Sequence, residues 1–313
     1  MVLLRVRMYN PRMSKIEHRK LGRNGPSVPV LGFGAWPIGG GLGRVEEKTA
    51  IATVRAAIDA GITLIDTAEG YRSSEKLIGE ALKGGYRERC FLATKASADF
   101  TAAGIRRALE NSLRALRVDQ VDLYQIHNWD PRVPVEQSMG EMLRLKEEGK
   151  IRFVGVSNFL PEHMEHAMRV CPISANQVRY SLLFRGIEKD TAAFCEHHGI
   201  GIIVHSPLAK GLLTGRYTPS STFPVDDERS GFADFNGEQF ARHLSCADRL
   251  TIIAREKGIS LLQFSIAWTL RLPVVSCTLV GAKNPAQLQE HLGAVGVTFS
   301  PAELASVEAA LAM

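Results

Sequence analysis

Five cysteines are scattered through the chain, at Cys90, Cys171, Cys195, Cys246 and Cys277, and no two stand as C-x-x-C. An odd, dispersed set excludes a disulfide framework and offers no zinc-ligand spacing. A reducing, cytoplasmic setting is the simplest one for it. No apolar run approaches the roughly 18 residues that a membrane helix needs, so no membrane partner is expected. The opening "MVLLRVRMYNPRM" holds arginines, but its apolar run is too short for a signal peptide. Residues 1–14 read as a flexible extension or a misassigned start, with Met13 opening the more compact sequence. Aromatics are only 7% of the chain, and the net charge of +5 is spread rather than clustered. That describes a solvated basic surface and argues against a nucleic-acid partner. Low-complexity linkers, a G-x-G-x-x-G fingerprint after a strand and a G-x-S-x-G elbow are also missing.

What is present is alternation. The 313 residues are 45% hydrophobic, enough for a large core without covalent help. Apolar, β-branched runs read as buried strands: "VPVLGFG", "ITLIDTA", "CFLATK", "VDLYQIH", "IRFVGVS", "SANQVRY", "GIGIIVHS" and "VVSCTLVG". Between them, helical periodicity marks 46–60, 74–83, 101–116, 136–149, 161–169, 188–198, 260–271 and 285–292; Ala50, Val54, Ala57 and Ile58 form one apolar stripe. Glycines follow several of these helices, as at Gly61, Gly149 and Gly199. Strand–helix alternation forces parallel strands with right-handed crossovers. Eight units predict a closed (β/α)₈ TIM barrel, a single domain over 1–313. The turn-rich "GRNGPS" between two short apolar stretches predicts a hairpin ahead of the barrel, closing its lower end. Residues 214–245 break the alternation and read as a long loop insertion after the seventh strand.

In such a barrel the strand C-termini open on one face, where the chemistry sits. Asp66 ends the second strand, with Tyr71 just after it. Lys95 ends the third, and His127 ends the fourth, followed by Asn128. Each has an ordinary explanation: a loop cap, packing, a lysine reaching water, a satisfied core histidine. Four titratable groups on three neighbouring strand ends point instead to a proton-handling site. A phenol titrates near pH 10, so it gives up a proton poorly at neutrality. A lysine cation beside it is expected to lower that pKa, and Asp66 to pair with the lysine. Neutral His127 would orient a substrate oxygen. Such a relay suits a carbonyl becoming an alkoxide, with either nicotinamide hydride or a Schiff base on Lys95 acting at carbon.

The quartet Asp66, Tyr71, Lys95 and His127, in "DTAEGY", "FLATK" and "LYQIHN", resembles the tetrad of the aldo-keto reductase family. The likeness runs in order from "RKLGRNGPSVPVLGFGAW" to "VGAKNPAQLQEH", residues 17–292. It implies NADPH-dependent reduction of aldehydes or ketones. Tyr71 would be the general acid, tuned by Lys95 and Asp66, with His127 orienting the carbonyl. It implies cofactor contacts at Gly34, Ala35, Trp36 and Asp66, and carboxamide contacts at Ser157 and Asn158 of "GVSNF" and at Gln177. "HSPLAKGLLTG" would pass the pyrophosphate, through His205, Ser206, Pro207, Leu208, Gly211 and Leu212. "VGAKNPAQLQE" would hold the adenosine phosphate, through Gly281, Lys283, Gln287 and Glu290. Lys283 favours NADPH, with NADH as the alternative; a merely solvated lysine is the plainer reading.

This sequence departs from the resemblance at His205, where relatives usually carry a large aromatic residue that stacks on the nicotinamide. Trp36 and Trp129 are implied as substrate walls, or else as plain packing. Phe223 and the 232–235 stretch are candidates to cover the site. A small carbonyl substrate is the expected partner, with the chain a monomer or a weak homo-oligomer. The competing reading is an NADPH-binding regulatory subunit resembling the potassium-channel β proteins.

Overall fold

The computed structural model describes residues 16–312; the expectation for residues 1–14 lies outside the described residues. A two-stranded antiparallel hairpin, β1 (His18–Lys20) and β2 (Ser27–Pro29), precedes a closed barrel. The barrel strands are β3 (Leu31–Gly34), β4 (Leu64–Asp66), β5 (Phe91–Ala96), β6 (Val121–Ile126), β7 (Ile151–Ser157), β8 (Ala175–Arg179), β9 (Gly201–His205) and β10 (Val275–Val280). They pair in parallel in chain order, and β10 pairs with β3 to close the ring. The TIM barrel and the leading hairpin therefore both stand as the sequence predicts.

Helices α1 (Glu47–Asp59), α2 (Ser74–Ala81), α3 (Ala102–Leu116), α4 (Val135–Glu147), α5 (Pro161–Met168) and α6 (Thr191–His198) follow the first six barrel strands. On α1 the buried side chains are Ala50, Thr53, Val54, Ala57 and Ile58, the stripe its periodicity marks. The start of α3 is held by Thr101, whose hydroxyl accepts from the Gly104 N–H at 3.1 Å, a cap worth about 1 kcal/mol.

The segment after β9 is more ordered than a loop. It holds short 3₁₀ turns and then α7 (Gly237–Glu256), a 20-residue helix; α8 (Leu261–Thr269) leads into β10. Only the first part of the 214–245 stretch is irregular, and its last nine residues belong to α7. Two further helices, α9 (Pro285–Leu292) and α10 (Pro301–Ala312), end the described chain. Among the described residues no helix is long and apolar enough to cross a membrane.

Strand period sets the barrel interior. Leu64, Ala93, Leu123, Ala175 and Ile203 fill one level, with Leu21 and Val28 from the hairpin region packed beneath them. The hairpin thus plugs the lower end. Two residues further along each strand the inward positions become polar: Asp66, Lys95, Gln125 and Gln177, all buried. The apolar floor supports this polar level. Truncating one of its leucines to alanine would cost about 2–5 kcal/mol.

Candidate active site

Lys95 is fully buried, and its ammonium is surrounded by acceptors. It donates to Asp66 Oδ1 at 2.6 Å and to the Thr67 carbonyl at 2.8 Å, and lies 3.4 Å from the Tyr71 hydroxyl. The other carboxylate oxygen of Asp66 accepts from Gln177 Nε2 at 2.8 Å and from Gln125 Nε2 at 3.2 Å. Burial, the largest single influence, opposes the charge on Lys95, but Asp66 and Tyr71 together outweigh it and hold the lysine pKa above its ordinary value. Gln125 is a member of this cluster that the motif reading passed over. Its position, two residues before His127 and paired in register with Lys95, is the signal that could have found it.

Tyr71 differs from expectation in one respect. Burial pushes its phenol above the ordinary value, and the nearby Lys95 cation pulls it down without overcoming that. The phenol therefore stays protonated at neutral pH, with a cation beside it to stabilise the phenolate. Its place depends on close backbone packing: a Cβ at Gly39 would lie 2.3 Å from the Tyr71 carbonyl oxygen. The His127 ring stands edge-on to the Tyr71 ring, centroids 5.6 Å apart. Burial, followed by the Lys95 charge, lowers the His127 pKa to about 3, so the imidazole is neutral. Its Nδ1 lies 2.9 Å from Ser97 Oγ.

These groups open into a cavity of about 490 Å³. Its lining brings Gly34, Trp36, Asp66, Tyr71 and His127 together with Asn158, Gln177 and His205, then Ser206, Pro207, Leu208 and Gly211, and finally Gly281, Lys283, Gln287 and Glu290. Lys95 lies beneath the lining, and four residues implied as cofactor or substrate contacts do not line it either. Ala35 is buried, donating its N–H to the Asp66 carbonyl at 2.9 Å. Ser157 lies beneath Asn158, accepting from its Nδ2 at 3.2 Å. Leu212 is in the core. Trp129 turns aside to stack on His163, with centroids 4.1 Å apart, because the two flat rings cover each other's faces there.

The loop after β9 carries a run of left-handed residues along the cavity. Ser206, Ala209 and Lys210 are all left-handed, with φ of 56°, 48° and 55°. Gly211 takes φ 108°, which L side chains rarely adopt, and a Cβ there would also sit 2.4 Å from the Tyr217 hydroxyl. Such backbone conformations cost of order 1–3 kcal/mol each for residues other than glycine, and concentrate at ligand sites. Asn158 is also left-handed, at φ 57°. Its Oδ1 lies 3.0 Å from His205 Nε2, while its Nδ2 donates to the His127 carbonyl at 3.3 Å and to Asn128 Oδ1 at 3.1 Å. His205 lies 3.1 Å from the Ser206 hydroxyl and is held neutral, its pKa lowered to about 3 by burial and then by the Lys95, Arg179 and Lys210 charges. Lys210 is a lining residue that the motif reading omitted. Its ammonium lies over the Phe232 ring at 3.1 Å and the Trp36 ring at 4.9 Å. Burial, then Arg179, lowers its pKa to about 8.

Part of the insertion roofs the cavity. Glu228 N–H donates to the Gly41 carbonyl at 3.2 Å, Leu42 bridges Asp227, and Arg72 pairs with Glu228 at 3.4 Å. Lys283 is tied into this roof, its ammonium donating to the Leu42 carbonyl. Glu290 pairs with Arg216 at 2.5 Å, and Gln287 Oε1 accepts the Lys283 N–H at 2.8 Å. Phe223 and Phe235 pack edge-to-face at 5.1 Å in an aromatic cluster with Tyr217 and Phe240. Among the described residues no group of three or more His, Cys, Asp or Glu is placed to hold a metal ion.

Known proteins resemble this chain in sequence and fold. The model of the Aldo/keto reductase family matches residues 30–312. The aldo-keto reductase YhdN of Bacillus subtilis (strain 168) is 36% identical over 299 residues, covering 91% of this chain and 90% of that protein. The solved glycerol dehydrogenase AKR11B4 of Gluconobacter oxydans is 33% identical, with a TM-score of 0.85 over 96% of both chains. An aldo/keto reductase of Klebsiella pneumoniae, solved in complex with NADP and acetate, is 30% identical, with a TM-score of 0.73 over 93% of this chain and 94% of that one. A barrel carrying a buried Asp–Lys pair under a cavity tyrosine, matched along nearly its whole length, thus belongs to the aldo-keto reductase family of oxidoreductases.

Proposed function

We propose that this chain reduces aldehydes or ketones to alcohols with NADPH, and that Tyr71 supplies the proton. The observation that carries the reading is the Lys95 ammonium, 2.6 Å from Asp66 and 3.4 Å from the phenol, beneath a cavity that also reaches Lys283. A dinucleotide suits that cavity: the left-handed turn at 206–211 lets backbone approach closely, and Gln177 and Asn158 line the wall. Lys283 and Gln287 would face the adenosine phosphate, and His205 and Trp36 the nicotinamide end.

A bound NADPH would supply the hydride for the carbonyl carbon, leaving this chain's residues to handle the proton. His127 meets the carbonyl oxygen and fixes its direction. Tyr71 transfers its phenolic proton to that oxygen as negative charge develops. Lys95 stabilises the phenolate left behind, and Asp66, gripped by Gln125 and Gln177, keeps Lys95 charged. In alcohol oxidation the same phenolate takes the proton back. General acid catalysis of this kind contributes about 10²–10⁴ in rate.

A Schiff base on Lys95 fits poorly, because its ammonium is already engaged by Asp66, Thr67 and Tyr71 and has no exposed surface. A purely regulatory, cofactor-binding subunit would need none of this proton machinery. The test is turnover of a carbonyl panel with NADPH deuterated at the reactive C4 position. Transfer of the label to the product carbon supports the reading. Cofactor binding without label transfer to any carbonyl defeats it and favours the regulatory alternative.

A further inference from the structure

We propose that Ser97 sets the tautomer of His127, so that Nε2–H faces the cavity as a fixed donor to the oxygen of the bound carbonyl. This rests on the reading of His127 as the group that meets that oxygen. Ser97 touches neither substrate nor cofactor in this account; it is a positioning residue.

Ser97 is held by three hydrogen bonds, one of them to the His127 ring. Its hydroxyl oxygen lies 2.9 Å from His127 Nδ1 and accepts the Gly70 N–H at 3.2 Å. Its own backbone N–H donates to Glu69 Oε2 at 3.2 Å, which holds the residue in place just past the end of β5. A hydroxyl has one proton and two acceptor sites. Gly70 takes one acceptor site, and among the described residues Nδ1 is the only acceptor within reach of the proton. The complete assignment is therefore Ser97 O–H donating to Nδ1. A neutral imidazole that accepts at Nδ1 carries its proton on Nε2.

Nε2 has no hydrogen-bond partner among the described residues, while the ring lines the cavity beside Tyr71. The opposite tautomer would leave the Ser97 proton without a protein acceptor. It would also turn the Nε2 lone pair toward the lone pairs of an incoming carbonyl, which is repulsive. The motif around Lys95 gives no hint of this, because the serine matters only once β5 and β6 lie side by side.

The test is nitrogen-15 NMR of the full chain carrying labelled histidine at pH 7, with His127→Asn to assign the signal. The wild type is expected to show His127 protonated on Nε2 alone. Ser97→Ala should give a tautomer mixture. It should also raise KM for the carbonyl and lower kcat/KM by about threefold to tenfold, the size of one neutral hydrogen bond, with NADPH affinity unchanged. Ser97→Thr keeps the hydroxyl and should restore both readouts. A wild-type proton on Nδ1, or an alanine variant with unaltered His127 signals, overturns the proposal. The NMR reads the tautomer without turnover, so a chain that reduces no carbonyl would sink the functional reading while this question is still decided.

Discussion

The ammonium of Lys95 and the carboxylate of Asp66 meet at 2.6 Å where neither has appreciable contact with solvent. Taking two charges out of water is costly, and the pair repays it only while both partners stay. Asp66→Asn should therefore lose about 3–5 kcal/mol of unfolding free energy, because it leaves a buried cation without its counter-charge. Urea denaturation checks this. Replacing both partners with apolar residues, Asp66→Leu with Lys95→Met, should recover much of that stability while turnover stays abolished. A single variant as stable as the wild type would mean the pair is more solvated than the structure has it.

Lys283 offers a second test. If its ammonium leaves the Leu42 carbonyl to meet a 2′-phosphate, Lys283→Ala should weaken NADPH by about tenfold or more and leave NADH nearly unchanged. Equilibrium titration of both cofactors decides the matter. Equal weakening would mean that the lysine serves only to tie down the roof at Leu42.

Stability should fall in mild acid. His127 and His205 are held with pKa values of about 3, and His291 at about 4, each lowered mainly by burial. An unfolded histidine titrates near pH 6.5, so below that pH the unfolded chain binds protons that the folded chain refuses. The stability these neutral rings provide is fully present above about pH 6.5 and is lost as pH falls toward 4. Each ring contributes a slope of up to about 1.4 kcal/mol per pH unit. Urea unfolding at pH 7, 6 and 5 should show the decline, and His291→Asn should flatten it. A constant unfolding free energy across that range would contradict the buried, neutral assignment.

The barrel was legible because parallel strands buried on both faces read as continuous apolar runs, such as "GIIVH" in β9. The Asp66–Lys95–Tyr71–His127 group was legible because alternate residues share a face and neighbouring strand ends lie side by side. Other features were not. Helix α7 was hidden because it begins inside a stretch rich in Pro, Asp and Phe, and its buried residues are diluted by charged ones. The roof from Gly41 to Glu228 joins segments far apart in sequence, with no local pattern to announce it. Lys95 was expected to lower the Tyr71 pKa, and it does pull downward, but how far burial outweighs it depends on packing that no motif encodes. Trp129, named as a substrate wall from its place after "HN", found a better partner in His163.

The central claim is that the Tyr71 hydroxyl delivers the proton during reduction. Its most direct test compares Tyr71→Phe with the wild type on one good carbonyl substrate, measuring kcat by NADPH oxidation and NADPH affinity by fluorescence titration in parallel. The account predicts a fall in kcat of about 10²–10⁴ with cofactor affinity retained. Reduction by the phenylalanine variant at the wild-type rate would contradict it.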